Sequence, residues 1–280
     1  MPEPRDPAAF KRQVQGIFDE SAERYQRERE SQPGFRRQSS WLVRTAGAAQ
    51  GAKLLEVGCG AGSLVAQVVG SGYHYFGCDL SPRMAAGARE RALKARVTAG
   101  IACADAESLP FRTASVDLVI AVGVLEYLPR PLRFLEEAAR VLRSGGRLLL
   151  SVPSSISPHA LAGEAFDALP QRLRALLLRR DPRAPLQAVH SRPVRAGALR
   201  RTLRQVGLTP SRGRFTHFVF FPLDRLWPWG SDRLAALLEP LGGVPLASRL
   251  GAQILLEAVR VQAAAGVERA RPRTGSRSAA

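Results

Sequence analysis

Residues 54–62 read Leu-Leu-Glu-Val-Gly-Cys-Gly-Ala-Gly, an apolar run that passes through one acid into glycines at alternate positions. Glycine admits positive φ and leaves no side chain between backbone and ligand. Such a loop can press its amides against a ligand where the next helix starts. Alone it indicates only a nucleotide-like ligand. The dinucleotide fingerprint is Gly-x-Gly-x-x-Gly, whereas here the order is Gly58-x-Gly60-x-Gly62, with Glu56 two residues before the first glycine. Asp79 ends the next apolar run, where its carboxylate can accept hydrogen bonds from both hydroxyls of a ribose. Asp105-Ala106 follows the third run, where a side chain and a backbone amide can read an adenine edge. Three successive strands thus end in groups suited to one nucleoside.

For these groups to converge, the runs must be neighbouring strands of one sheet. Strands are predicted at Lys53–Val57, Tyr73–Cys78, within Val97–Ala104, at Val116–Val122 and at Arg147–Val152. Helices at Ser63–Gly70, Pro82–Ala95 and Leu132–Leu142 alternate with them. The runs are β-branched and leucine-rich rather than strictly alternating, which indicates strands buried on both faces in a parallel sheet. Right-handed crossovers make this a doubly wound α/β domain that binds ligands at the carboxyl edge. Residues 8–30 have amphipathic helical spacing through Phe10, Val14, Ile17, Phe18 and Tyr25. Gln32-Pro33-Gly34 breaks that helix, and Ser39–Ala49 forms another that ends near Gly51. After Pro153, residues 160–180 and 196–206 read as helices, and Leu208 onward and Gln253–Val259 as the last strands. No internal repeat is visible.

Residues 53–152 resemble the core of the class I S-adenosylmethionine-dependent methyltransferases, especially the small-molecule group that includes the ubiquinone and menaquinone biosynthesis enzymes. The matching stretches are Leu54–Gly62, Gly77-Cys78-Asp79-Leu80-Ser81, Ala104–Phe111, Asp117–Ile120 with Val124–Leu128, and Leu142–Gly146. The resemblance implies a Rossmann-like, mostly parallel seven-stranded sheet and S-adenosyl-L-methionine as cofactor. It implies a binding set of Glu56, Gly58, Cys59, Gly60, Gly62, Asp79, Leu80, Asp105, Ala106 and Val122. Gly58 and Gly60 would meet the methionine part, Asp79 the ribose, Asp105 and Ala106 the adenine, while Val122 and Gly123 border the sulfonium. Glu56 has a second reading, orienting the loop backbone without touching ligand. Phe18-Asp19-x-x-Ala22-x-x-Tyr25 resembles the helix that precedes this core in the quinone-type enzymes; it either covers the pocket or simply packs on the domain. Asp117 opens its strand at the far edge, which favours a structural role.

A methyl group on a sulfonium is already activated, so positioning can supply most of the acceleration. A general base is required only where the acceptor carries a proton. Two residues follow strand ends on the active edge and are candidates, His159 and Tyr127. His190 and His217 rank lower, and His74 is expected to be structural. Phe215-Thr-His-Phe-Val-Phe-Phe-Pro-Leu-Asp-Arg-Leu-Trp-Pro-Trp opens an insertion of about residues 215–250 before the last strand. It can wall an apolar acceptor pocket, meet a membrane interface, or pack as a subdomain.

This predicts an amino-terminal helical cap (1–52), a cofactor core (53–153), and a carboxyl-terminal half with the acceptor-side insertion (154–261). A basic tail (262–280) has too few large apolar groups to fold and is expected to be disordered. The formal net charge is +17. Residues 171–214 hold twelve arginines against the single acid Asp181, whereas 53–152 hold twelve basic and nine acidic groups. The excess therefore lies outside the cofactor core, and suits an anionic membrane face, an acidic substrate or merely solvated helix faces. Nucleic acid is disfavoured, because Ala121-Val122-Gly123-Val124 stands where amino-methylating nucleic-acid enzymes carry an Asn/Asp-Pro-Pro-Tyr/Phe stretch. Cys59, Cys78 and Cys103 suggest neither a disulfide framework nor a metal site. The expectation is a cytoplasmic protein, peripheral at the inner membrane face, acting on a small apolar or lipid-like acceptor. A non-catalytic S-adenosylmethionine-binding protein and an RNA methyltransferase are the alternatives.

Overall fold

The computed structural model describes residues 3–158, 160–162, 168, 193–216, 218, 228–244 and 250–261. Pro7–Ser31 forms α1, started by the Asp6 side chain, which accepts from the amides of Ala8 and Ala9, both at 2.9 Å. This is N-capping, with Pro7 in the first turn where its missing N–H costs nothing. Pro33 does the same for α2 (Pro33–Ala46), which Gly47 ends at φ 72°. The break at Pro33 stands as expected, but the second helix begins there and not at Ser39. Proline starts a helix as readily as it stops the preceding one.

The strands are β1 (Lys53–Val57), β2 (His74–Asp79), β3 (Ala99–Cys103), β4 (Val116–Val122), β5 (Leu142–Pro153), β6 (Leu208–Thr216) and β7 (Gln253–Arg260). They form one seven-stranded sheet in the order β3-β2-β1-β4-β5-β7-β6. β7 runs antiparallel to both β5 and β6, and the other contacts are parallel. The α/β, mostly parallel, doubly wound architecture is as the sequence predicts. Alternate residues feed opposite cores. Leu55, Val57, Val119, Ala121, Leu148 and Leu150 join Phe134 and Ala138 on one face. Leu54, Leu118, Ile120 and Leu149 join Leu42, Leu64 and Val65 on the other. Burying a side chain of this size contributes about 1.5–3 kcal/mol.

The helices of the core are α3 (Val65–Val68), α4 (Pro82–Lys94) and α5 (Pro131–Val141). Ser81 caps α4 by accepting from the Met84 amide at 3.0 Å. α3 is shorter than the predicted Ser63–Gly70, because residues 60–64 stay in turns and Val69–Ser71 tightens to a 3-10 turn. β5 begins at Leu142, directly after α5, five residues before the predicted start. Arg147 of β5 donates to the Thr45 and Ala46 carbonyls, at 2.8 and 2.6 Å, and pairs with Glu257 of β7. A cation at a helix carboxyl end is favoured, so this side chain pins α2 onto the sheet. Asp117 accepts from the Lys53 amide at 2.6 Å and pairs with Arg143. Its role is structural, at the edge remote from the site.

In the carboxyl-terminal half, Ala196–Gln205 forms α6 and Pro228–Leu238 forms α7, followed by a 3-10 turn at Glu239–Gly243. The aromatic stretch 219–227, residues 171–192 of the arginine-rich segment, and the 262–280 tail lie outside the described residues. None of the described helices is long and apolar enough to cross a membrane.

Candidate cofactor-binding and acceptor site

The carboxyl ends of β1 to β4 open into one pocket, and α1 lies across them. The loop after β1 is the floor. Gly58 (φ 66°) and Gly60 (φ 54°) take the left-handed conformation that side chains resist. A Cβ on Gly58 would come within 2.4 Å of Val124 Cγ2. Asp79 at the end of β2 holds the loop from the side, its two oxygens accepting from the Gly60 and Ser81 amides, each at 2.9 Å. Burial raises its pKa against those two stabilising amides. After β3, Asp105 accepts from the Glu107 amide at 2.9 Å and stands beside Ala106 in the pocket wall.

Of the predicted binding residues, Glu56, Gly58, Cys59, Gly60, Asp79, Leu80, Asp105, Ala106 and Val122 all line this pocket. Gly62 does not. At φ 85° a Cβ there would lie 3.0 Å from the Ala88 Cα, so this glycine lets the turn before α3 pack closely on α4. Of the alternate glycines, Gly58 and Gly60 line the pocket, whereas Gly62 serves the packing of its turn on α4.

Glu56 is 3% exposed. Tyr75 donates to its Oε2 at 2.5 Å, and burial, which outweighs that bond, pushes its carboxyl up to about 8. The neighbouring thiols are inert for the opposite reason to a reactive cysteine. Burial pushes Cys78 up to about 12 and raises Cys59 as well.

The sequence reading missed what α1 contributes besides apolar packing. Lys11 Nζ reaches Asp105 Oδ2 at 2.5 Å and Glu107 Oε2 at 2.6 Å, and Asp19 accepts from Ser81 Oγ. Phe18 meets Tyr127 edge to face at 5.4 Å, and Arg29 donates to the Val122 carbonyl at 3.2 Å while lying 4.7 Å over the Phe35 ring. Lys11, Gln15, Phe18 and Arg29 all line the pocket. Their spacing of four, three and eleven residues puts them on one helical face. That periodicity was available in the sequence, but polar members of a stripe do not register as one. Phe18 thus covers the pocket, and Tyr25's side chain lies outside the described ones.

The two candidate bases part company. Tyr127 lines the pocket, packed on Phe18. His159, like His190 and His217, lies outside the described residues, while His74 opens β2 at an exposed position. Glu126 was not foreseen. It is 5% exposed, its Oε2 has no hydrogen-bond partner, and burial pushes it up to about 7. Among the described residues no cluster of His, Cys, Asp and Glu could hold a metal ion.

Residues 55–150 match the family model described as "Methyltransferase domain". An uncharacterised protein of Mycobacterium tuberculosis is 35% identical over 107 residues, 38% of this chain and 39% of that protein. The ubiquinone biosynthesis O-methyltransferase of Xanthomonas oryzae pv. oryzae is 34% identical over 102 residues, 36% of this chain and 43% of that enzyme. The matched stretches span about two-fifths of these curated relatives. The structure of magnesium protoporphyrin IX methyltransferase from Synechocystis PCC 6803, with S-adenosylhomocysteine bound, matches with a TM-score of 0.61 at 17% identity. It covers 90% of this chain and 99% of that one. Residues 55–150 thus resemble a methyltransferase domain, and the sheet that carries them shares its fold with that S-adenosylhomocysteine-bound structure. S-adenosyl-L-methionine is the cofactor of this class, and the residues fit it. Asp79 would hold the ribose, Asp105 and Ala106 the adenine, and the loop at Gly58 and Gly60, both in the left-handed conformation, the methionine part.

Proposed function

We propose that the chain is an S-adenosylmethionine-dependent methyltransferase acting on a small, apolar or lipid-like acceptor. The observation that carries the cofactor is the convergence of three strand ends, Gly58–Gly60, Asp79 and Asp105-Ala106, in one pocket roofed by α1. When bound, S-adenosylmethionine supplies a methyl group already activated for displacement. The protein's share is to bind, align and exclude water. Asp79 is held rigid by two amides, so it presents its remaining lone pairs without reorganising. α1 closes the roof through Lys11 and Phe18, and the aromatic and aliphatic side chains of Phe18, Phe35, Val124, Tyr127 and Leu128 keep the open side of the pocket dry.

Those same side chains support an apolar acceptor. An acceptor presented at a bilayer is supported by the net charge of +17 and by exposed leucines of the insertion, Leu237 at 75% and Leu241 at 42%. Release of S-adenosylhomocysteine with pooled lipid, phenolic and RNA fractions tests the acceptor class. Turnover with the lipid or phenolic pool is expected, and turnover with RNA alone would overturn the small-molecule reading.

A further inference from the structure

A second polar cluster lies across the sheet from the cofactor pocket. Val122, Ser151, Leu255 and Arg214 form one row over β4, β5, β7 and β6. Side chains in one row share a face, so Arg214 stands on the Val122 side of the sheet, three strand spacings or roughly 14 Å away. α2 covers that face, with Gln38 donating to Ser151 Oγ and Arg37 next to it in the chain. The insertion supplies Glu239, which accepts from Thr216 Oγ1 while its carbonyl accepts from Arg214. Gly242 lets this turn press on β6, because a Cβ there would lie 2.0 Å from the Phe215 carbonyl oxygen and 3.2 Å from Arg214 Nη2. Arg37 and Arg214 each stand 3.7 Å from one oxygen of the Glu239 carboxylate, too far for a hydrogen bond to it. Arg37 Nε, Arg214 Nε and Glu239 Oε2 are buried without a hydrogen-bond partner. Arg140, which is more exposed, instead closes its Nε onto Glu137 at 2.7 Å and its other nitrogens onto the Phe111 and Leu109 carbonyls. A buried donor left unsatisfied is costly, and two guanidiniums against one carboxylate leave one positive charge.

We propose that Arg37 and Arg214 form an oxyanion subsite for the acidic end, carboxylate or phosphate, of a lipid-like acceptor whose other end reaches the methyl donor beside Val122 and Gly123. This rests on the reading of the chain as a methyltransferase of lipid-like acceptors, and adds to it the acceptor's charge and reach. Guanidinium forks match the oxygens of such a group in geometry and charge. An arriving anion supplies the acceptors that the two Nε atoms lack and balances the surplus charge. The side chains of Arg37 and Arg214 are 23% and 25% exposed, which leaves an anion a way in from solvent. Glu239 keeps the two cations together while the site is empty and competes for them when it fills. With its two ends roughly 14 Å apart, the acceptor is an extended amphiphile, not a compact ring.

Binding alone tests this, without turnover. The full chain, with S-adenosylhomocysteine present, is titrated by calorimetry with decanoate, decyl phosphate, decanol and inorganic phosphate. Both decyl anions are expected to bind at least about tenfold more tightly than decanol. Arg37→Met should abolish that preference and leave the affinity for S-adenosylhomocysteine unchanged, which also shows that the variant is folded. Glu239→Gln removes the competing carboxylate and should tighten the two anions about two- to fivefold, whereas a merely structural ion pair would give no tightening. Equal affinity for the anions and decanol, or a preference that survives in Arg37→Met, would overturn the proposal and leave the lipid-like reading standing. Absence of binding by all three decyl compounds would overturn both. Inorganic phosphate binding as tightly as decyl phosphate would overturn the assignment of the site to an acceptor, since the chain would then contribute nothing.

Discussion

The two halves of this chain solve different problems with different materials. Before Pro153 the site is made of backbone amides and strand-end acids: Gly60 N on Asp79, Ser81 N on Asp79, Glu107 N on Asp105. Their placement follows from parallel strands that end at one edge, so little but the loop spacing has to be specified. After Pro153 the structure depends on side chains meeting over longer distances. Arg214 and Thr216 of β6 reach Glu239 of the insertion, and Ser211 and Arg212 reach Glu257. The first half forms the pocket through a common backbone geometry, whereas the second is held together by particular side chains, the part of a fold that can vary most freely.

If that contrast is right, damage to the first half should fall hardest on cofactor binding. Gly58→Arg is expected to have the largest effect. Its Cβ alone collides with Val124 at a left-handed φ, so S-adenosylmethionine binding measured by calorimetry should fall at least about a hundredfold, the folded signal by circular dichroism being retained. Asp79→Ala removes both the ribose acceptor and the tether of Gly60, and should weaken binding about ten- to a hundredfold. Lys11→Met unlatches α1 from Asp105 and Glu107 and leaves Glu107 to Arg130 alone. A two- to tenfold rise in Kd is expected, roughly, and it should shrink as salt is added.

The glycine order and the two strand-end acids were legible because each sits where the hydrophobic periodicity breaks. The sheet was legible for the same reason, its strands being short, β-branched runs. The roof was not. Lys11 and Arg29 look like ordinary charges on a solvated helix face until the helix is laid over the pocket. Glu126 was hidden differently: Val124-Leu125-Glu126-Tyr127-Leu128 gives no sign that its carboxyl turns inward beside Gly123. Gly62, whose close neighbour is α4, looks the same in the sequence as the two glycines that line the pocket.

Smaller effects should separate the two buried carboxyls from the acceptor side. Glu126 and Glu56 bind protons more tightly folded than unfolded, so their burial costs stability as pH rises from the ordinary carboxylate range through about 7 and about 8. Glu126→Gln should therefore raise the Tm at pH 8 by roughly 5 °C and leave it about unchanged near pH 4. Leu237→Asp, on the exposed face of the insertion, should change neither Tm nor cofactor affinity. It should lower co-sedimentation with anionic liposomes about two- to threefold, a small apolar loss; unchanged co-sedimentation would remove the bilayer from the acceptor reading.

The most direct test of the account is calorimetric titration of the whole chain with S-adenosylmethionine, S-adenosylhomocysteine and NAD. The geometry at Glu56 to Gly60, Asp79 and Asp105 predicts one site per chain for the first two ligands, abolished by Gly58→Arg, and no binding of the third. Binding of NAD with indifference to both S-adenosyl compounds would contradict it.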